Sequence, residues 1–169
     1  MTSPLQQIEA FLPISFTLAT SGQPTPEEFA YIASAGYNLV INLATPTSSN
    51  WNPDENTLVE SLGMEYISIP IDWEYPTLSD FEDFADILDG NSDRETGAKR
   101  DGTKSPLRDR KIWVHCSKNM RVSAMIYLYH RIRKNYIEEV ARRYLEQVWQ
   151  PNEIWQNFID ATLMLYGDE

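Results

Sequence analysis

The only cysteine of the chain, Cys116, lies inside Val114-His115-Cys116-Ser117-Lys118-Asn119-Met120-Arg121-Val122-Ser123. The apolar run 111–114 before it reads as a buried strand, and residues 123–130 after it read as a helix. The cysteine therefore falls at a strand-to-helix turn. Backbone N–H groups at a helix N-terminus point into such a turn, and the helix dipole favours negative charge there. A thiolate is stabilised in that place, and so is a bound oxyanion. Arg121 adds a planar fork suited to phosphate. An arginine in a first helical turn opposes the dipole, and a bound anion would give it a reason. The pattern is a cysteine nucleophile set in an anion cradle, which is the equipment of phosphate-ester cleavage.

Cradle chemistry needs further groups. The loop N–H groups of Ser117, Lys118, Asn119 and Met120 would hold the oxygens of a phosphate or sulfate ion. A loop that wraps an anion needs a residue at positive φ, and no glycine lies between Cys116 and Ser123; asparagine tolerates that region best after glycine, so Asn119 is the expected left-handed position. A departing ester oxygen needs a proton donor. Asp72 follows a strand in a loop with Trp73, Tyr75 and Pro76, where desolvation could keep its acid form available; Glu74 is the alternative. Ser123, seven residues after the cysteine, could place its hydroxyl near the sulfur and ease phosphocysteine breakdown, or simply begin the helix. His115 is expected to order the loop by hydrogen bonding rather than to act as a base. His130 reads as a helix-surface residue. No His, Cys or carboxylate set has metal-ligand spacing, so no metal or cofactor is expected.

These residues need elements to hold them. Residues 14–19 alternate and read as a first strand. Residues 21–24 form a turn, and Thr25, Pro26 and Glu28 supply N-cap, N1 and N3 of a helix that Gly36 ends. The run 38–43 reads as a strand buried on both faces. A polar loop, 45–52, leads to a helix that Pro53 to Asn56 open and Gly63 closes. Residues 64–71 form another strand, and Thr77 or Ser79 caps the next helix. Residues 123–134, 136–149 and a segment from Pro151 complete a helical pack. Strands alternating with helices predict an α/β fold with a mostly parallel central sheet flanked by helices. In such sheets ligands sit beyond the C-terminal strand ends, so loops 21–24, 72–76 and 116–121 are expected to converge.

A chain of 169 residues is expected to form one domain over 1–169, with the polar stretch 90–110 as an exposed loop insertion. The net charge of −11 leaves no basic stripe for nucleic acid. It also argues against a polyanionic substrate and against docking on anionic lipid, while leaving room for one local positive pocket. A single cysteine excludes an internal disulfide. The N-terminus lacks a basic leader, and the apolar run 11–18 is short and broken by Pro13, so neither signal peptide nor membrane span is expected. The expectation is a cytoplasmic protein, although a processed exported form would look the same. Oligomeric state is not legible.

His-Cys, then Arg, then Ser before a helix resembles the signature of cysteine-dependent protein tyrosine phosphatases. The whole chain is similar to a bacterial branch of that superfamily: the DUF442 proteins and the phosphatase-like domain of beta-lactamase hydrolase-like proteins. The matching stretches are 11–14, 21–25, 40–43, 69–77 and 114–124, with 148–152 and Trp155 also fitting. The resemblance implies a compact dual-specificity-phosphatase-like fold, with Cys116 as nucleophile and Arg121 as phosphate clamp; Gln23, with His115, is expected to order the loop. It implies a phosphorylated small molecule or a phosphoprotein as substrate. One departure opens two alternatives. The superfamily's usual loop places arginine sixth after cysteine and glycine third; here the fifth is Arg121, the sixth Val122 and the third Asn119. Some rhodanese-type sulfurtransferases carry arginine at this fifth position, so a persulfide carrier is one alternative. A phosphate- or phosphoprotein-binding pseudophosphatase is the other.

Overall fold

The computed structural model describes residues 3–90 and 110–167. The expected insertion at 90–110 lies, but for its two end residues, outside them. Among the described residues five strands form one sheet: β1 (Leu12–Ser15), β2 (Leu18–Ser21), β3 (Leu39–Asn42), β4 (Glu65–Ser68) and β5 (Ile112–His115). Their order is β1-β2-β5-β3-β4. Of the pairs between these strands, β1–β2 is antiparallel and the others are parallel, so the sheet is mixed and mostly parallel, as the alternation of elements predicts. After a 3-10 turn at Pro4–Gln7 the α-helices among the described residues are α1 (Pro26–Ser34), α2 (Glu55–Ser61), α3 (Leu78–Leu88), α4 (Met120–Ile132), α5 (Glu138–Glu146) and α6 (Glu153–Leu165).

Local chemistry explains the boundaries. Thr25 and Glu28 form a reciprocal capping box at α1, and Thr77 and Asp80 repeat it at α3. Gly36 lies at φ 97°, the left-handed position past the end of α1. Asn152 accepts the Trp155 N–H at 2.9 Å and caps α6. The single strand expected over 14–19 is instead a hairpin. Phe16 and Thr17 form the turn between β1 and β2, and Phe16 is 85% exposed there. An apolar residue at a turn without Gly, Asn or Pro left no turn signal in the sequence. The expected helix start at Ser123 also moves back, to Met120.

The sheet is covered on both faces, which is why its central strands read as continuous apolar runs. Ala19, Val40 and Trp113 face α1 and α2 with Phe29, Ile32 and Val59. Leu39, Ile41, Ile112 and Val114 face the opposite layer of α3, α4, α5 and α6. Alternation along β5 therefore turns Trp113 and His115 toward α1 and α2. Cys116 begins the loop just past the end of this central strand.

Candidate active site

The Cys116 loop is built on its neighbours. Gln23 N–H donates to the Ser117 carbonyl at 3.0 Å, and Gly22 bridges to Lys118. A Cβ on Gly22 would lie 2.7 Å from the Ser117 oxygen, so this close approach requires glycine. Asn119 has φ 68°, the left-handed conformation expected of it. Its side chain turns away from the cradle and donates to the Ala10 carbonyl at 2.9 Å and to Thr20 Oγ1 at 3.0 Å. The first N–H of α4 with a helical acceptor is that of Ser123, bonded to the Asn119 carbonyl at 2.8 Å. The N–H groups before it have none within the helix, the usual state of a helix start.

Cys116, Ser117, Lys118, Met120 and Arg121 line a cavity of about 350 Å³ with Thr45, Thr47, Ser48 and Trp73. That size lies at the small end of ligand pockets. Arg121 is 5% exposed. Its Nη1 donates to the Ile71 carbonyl at 2.9 Å and its Nη2 to Ser48 Oγ at 3.3 Å. The Trp73 ring lies 5.8 Å from its guanidinium carbon. No carboxylate among the described residues pairs with it. A buried cation held only by neutral oxygens is costly, and an anion in the adjoining cavity would offset that cost.

The three loops expected to converge do so, and a fourth joins them. Loop 45–52, past the end of β3, brings Ser48 to Arg121. It also brings Asn50 to Ser117 through two bonds, Asn50 Nδ2 to the carbonyl at 3.2 Å and Ser117 Oγ to Asn50 Oδ1 at 2.9 Å. Behind the loop, His115 Nδ1 lies 3.1 Å from the Cys116 carbonyl and Nε2 lies 2.5 Å from Glu55 Oε2. Gln23 Nε2 donates to Glu55 Oε1 at 2.8 Å. Burial, with the nearby Glu55 charge adding to it, pushes the Tyr66 phenol up to about 12.

Asp72 follows Ile71 directly, one residue from the carbonyl that Arg121 binds. Asp72 is exposed rather than desolvated as the aromatic neighbours suggested, because its loop faces outward, and its Oδ1 accepts the Glu74 N–H at 2.8 Å. Trp73 is fixed from the far side: the Trp155 indole donates to its carbonyl at 2.8 Å, and the Trp149 and Trp155 rings stand 5.5 and 6.0 Å from its own. Ser123 Oγ donates to the Met120 carbonyl at 2.9 Å, so its proton is committed to α4. His130 is not on the surface. It is 3% exposed, with the Tyr136 and Tyr144 rings 4.6 and 5.2 Å away, and burial, with Lys134 adding to it, lowers it to about 4. Helix α4 is buried without a break from Arg121 to His130, so no polar face existed to predict. Glu55, Ser48 and Asn50 were not singled out in the sequence. They lie some sixty residues from the cysteine, and no spacing rule links them to it.

The sequence matches no protein-family model and no curated protein. Solved structures are more informative. Two structures of the DUF442 protein of Shewanella putrefaciens CN-32 superpose with TM-scores of 0.76 and 0.73, at 29% and 30% identity. The match covers 96% of this chain in both cases, and 97% and 94% of theirs. The chain belongs to the DUF442 family. The fold of this DUF442 protein also recurs in the core catalytic domain of the PP-IP phosphatase SIW14 of S. cerevisiae, in complex with citrate, with TM-score 0.64, 13% identity and coverage of 90% of this chain and 85% of that one. P. aeruginosa TpbA, in complex with phosphotyrosine, gives TM-score 0.67 at 11% identity over 100% of this chain and 95% of that one. The DUF442 branch thus sits on the cysteine-dependent tyrosine-phosphatase fold. Among the described residues, no helix is long and apolar enough to cross a membrane.

Proposed function

We propose that this DUF442 protein hydrolyses phosphate monoesters in two steps. Cys116 thiolate attacks phosphorus; an S–P bond forms as the ester P–O bond breaks. Arg121 and the loop N–H groups of residues 117–120 hold the three non-bridging oxygens. Asp72 gives its proton to the leaving oxygen. Water then attacks phosphorus, Asp72 takes its proton, the S–P bond breaks, and inorganic phosphate and thiolate are restored. The observation that carries this reading is Arg121: a buried cation without a carboxylate partner among the described residues, on the wall of the cavity that Cys116 also lines. Asp72 fits the acid role by position, since its neighbour Ile71 is tied to Arg121 and its Oδ2 is not used by the Glu74 contact. Ser123 supports the fold of the loop rather than the sulfur in this arrangement. The cavity suits a phosphorylated small molecule or a phosphoprotein side chain.

The test is turnover of an aryl phosphate by the wild type and by Cys116→Ser, beside thiosulfate-to-cyanide transfer. The expected result is aryl phosphate hydrolysis that falls at least about a thousandfold in Cys116→Ser. Hydrolysis that survives the substitution sinks the mechanism. Sulfur transfer without hydrolysis selects a persulfide carrier, which the fifth-position arginine also fits. Phosphate binding without either activity selects a binding module.

A further inference from the structure

The least accessible ionisable groups beside the Cys116 loop are not in the cavity but behind it. Glu55 is 1% exposed and His115 is fully buried. A buried polar pair in that position adds little to stability, because apolar side chains of the same volume serve a core as well or better. Its geometry is nevertheless complete. Glu55 uses Oε2 on His115 Nε2 and Oε1 on the Gln23 amide. The second ring nitrogen, Nδ1, faces the Cys116 carbonyl, which can only accept, so Nδ1 must carry hydrogen. The Phe29 ring packs against the imidazole in a T-shaped arrangement, with centroids 5.9 Å apart. Gln23 closes the arrangement from the other side, because its own N–H donates to the Ser117 carbonyl. Glu55 therefore lies at the centre of two arms that end on consecutive carbonyls of the loop, those of Cys116 and Ser117.

We infer that Glu55 is a positioning residue for the Cys116 loop. By gripping His115 and Gln23 together it sets the directions of the Cys116 and Ser117 carbonyls, and with them the orientation of the peptide N–H groups that must point at the anion. Glu55 does not touch the cavity and takes no part in proton transfer. The inference rests on the oxyanion-binding reading of the loop, and its readout is chosen to survive failure of that reading.

The experiment is a double-mutant cycle of Glu55→Met and His115→Met on the full chain. Inorganic phosphate affinity and the rate of Cys116 alkylation by iodoacetamide are read in all four proteins. Glu55→Met is expected to weaken phosphate binding about tenfold and to change the alkylation rate, and to have a smaller effect when His115 is already replaced, because only the Gln23 arm is then left to lose. Glu55→Gln, whose amide can remake both contacts, is expected to stay within about twofold of wild type. An effect of Glu55→Met that is equally large with and without His115 overturns the inference. If the wild type binds no phosphate, the phosphatase reading fails alone, and the alkylation cycle still decides Glu55. If Glu55→Met does not fold, the wild-type imidazole ¹⁵N spectrum decides: hydrogen on His115 Nδ1 at pH 7 supports the inference, and a bare Nδ1 overturns it.

Discussion

At the scale of single residues, Arg121 and Asp72 carry the two predictions that separate holding an anion from cleaving an ester. Arg121 reaches the cavity from the fifth position after Cys116 because Ile71 and Ser48 hold the ends of its fork. Arg121→Met keeps much of the stem and removes the fork. It should lower kcat/KM for an aryl phosphate by about 10²–10³, the cost of one oxyanion donor, and weaken inorganic phosphate binding in parallel. A loss in kcat/KM with unchanged phosphate affinity would place Arg121 outside the anion site. Asp72→Asn should slow esters with poor leaving groups far more than those with good ones, because only the former need the proton; equal losses across a leaving-group series would remove Asp72 from the acid role. Cys116, Arg121 and the left-handed Asn119 were legible in the sequence because residue type and spacing are themselves the signal. Glu55, Ser48 and Asn50 were not, because each meets the site only through a tertiary contact, Ser48 and Asn50 from the loop after β3 and Glu55 from the first turn of α2.

At the scale of elements, the caps and the strand alternation explain how the site is assembled. Residues Thr25, Glu28, Thr77 and Asp80 announced α1 and α3 through local hydrogen bonding that spacing reveals. The β1–β2 hairpin was hidden because Phe16 and Thr17 carry no turn chemistry. The loop after β4 deserves its own test, because α6 fixes it: the Trp155 indole bonds the Trp73 carbonyl, and Trp73 stands over Arg121. Trp155→Phe removes that bond and leaves a carbonyl without its partner, at roughly 1–2 kcal/mol of stability in chemical denaturation. The same change should lower kcat several-fold while leaving inorganic phosphate affinity nearly unchanged, since the Cys116 loop itself is untouched. Loss of phosphate affinity with intact kcat would mean that the tryptophan cluster supports the cradle instead of the acid loop.

At the scale of the whole molecule, a chain of net charge −11 concentrates a buried guanidinium at the end of its central strand. The long-range field repels anions, so the proposed anion recognition rests on contacts inside the cavity. The mostly parallel sheet explains where that cavity lies, since loops past β2, β3, β4 and β5 meet at one end. Stability as a function of pH offers a separate check on the core. His130 is held neutral among Tyr129, Tyr136 and Tyr144 with Lys134 nearby, and its value is lowered from 6.5 to about 4. As pH falls below 6.5 the unfolded chain takes up a proton that the folded chain refuses, so stability declines until about pH 4 and this contribution then levels off. His130→Phe should flatten that part of the stability profile; an unchanged slope would show that His130 is not the responsible group.

The central claim is a covalent phosphocysteine formed in the cavity that Arg121 lines. The most direct measurement is rapid acid quench of the protein mixed with excess aryl phosphate, followed by peptide mass mapping. One phosphoryl group on Cys116 in the wild type, increased in Asp72→Asn with a good leaving group and absent from Cys116→Ser, is the predicted result. Product release with no phosphoryl group on Cys116 in either the wild type or Asp72→Asn would contradict it.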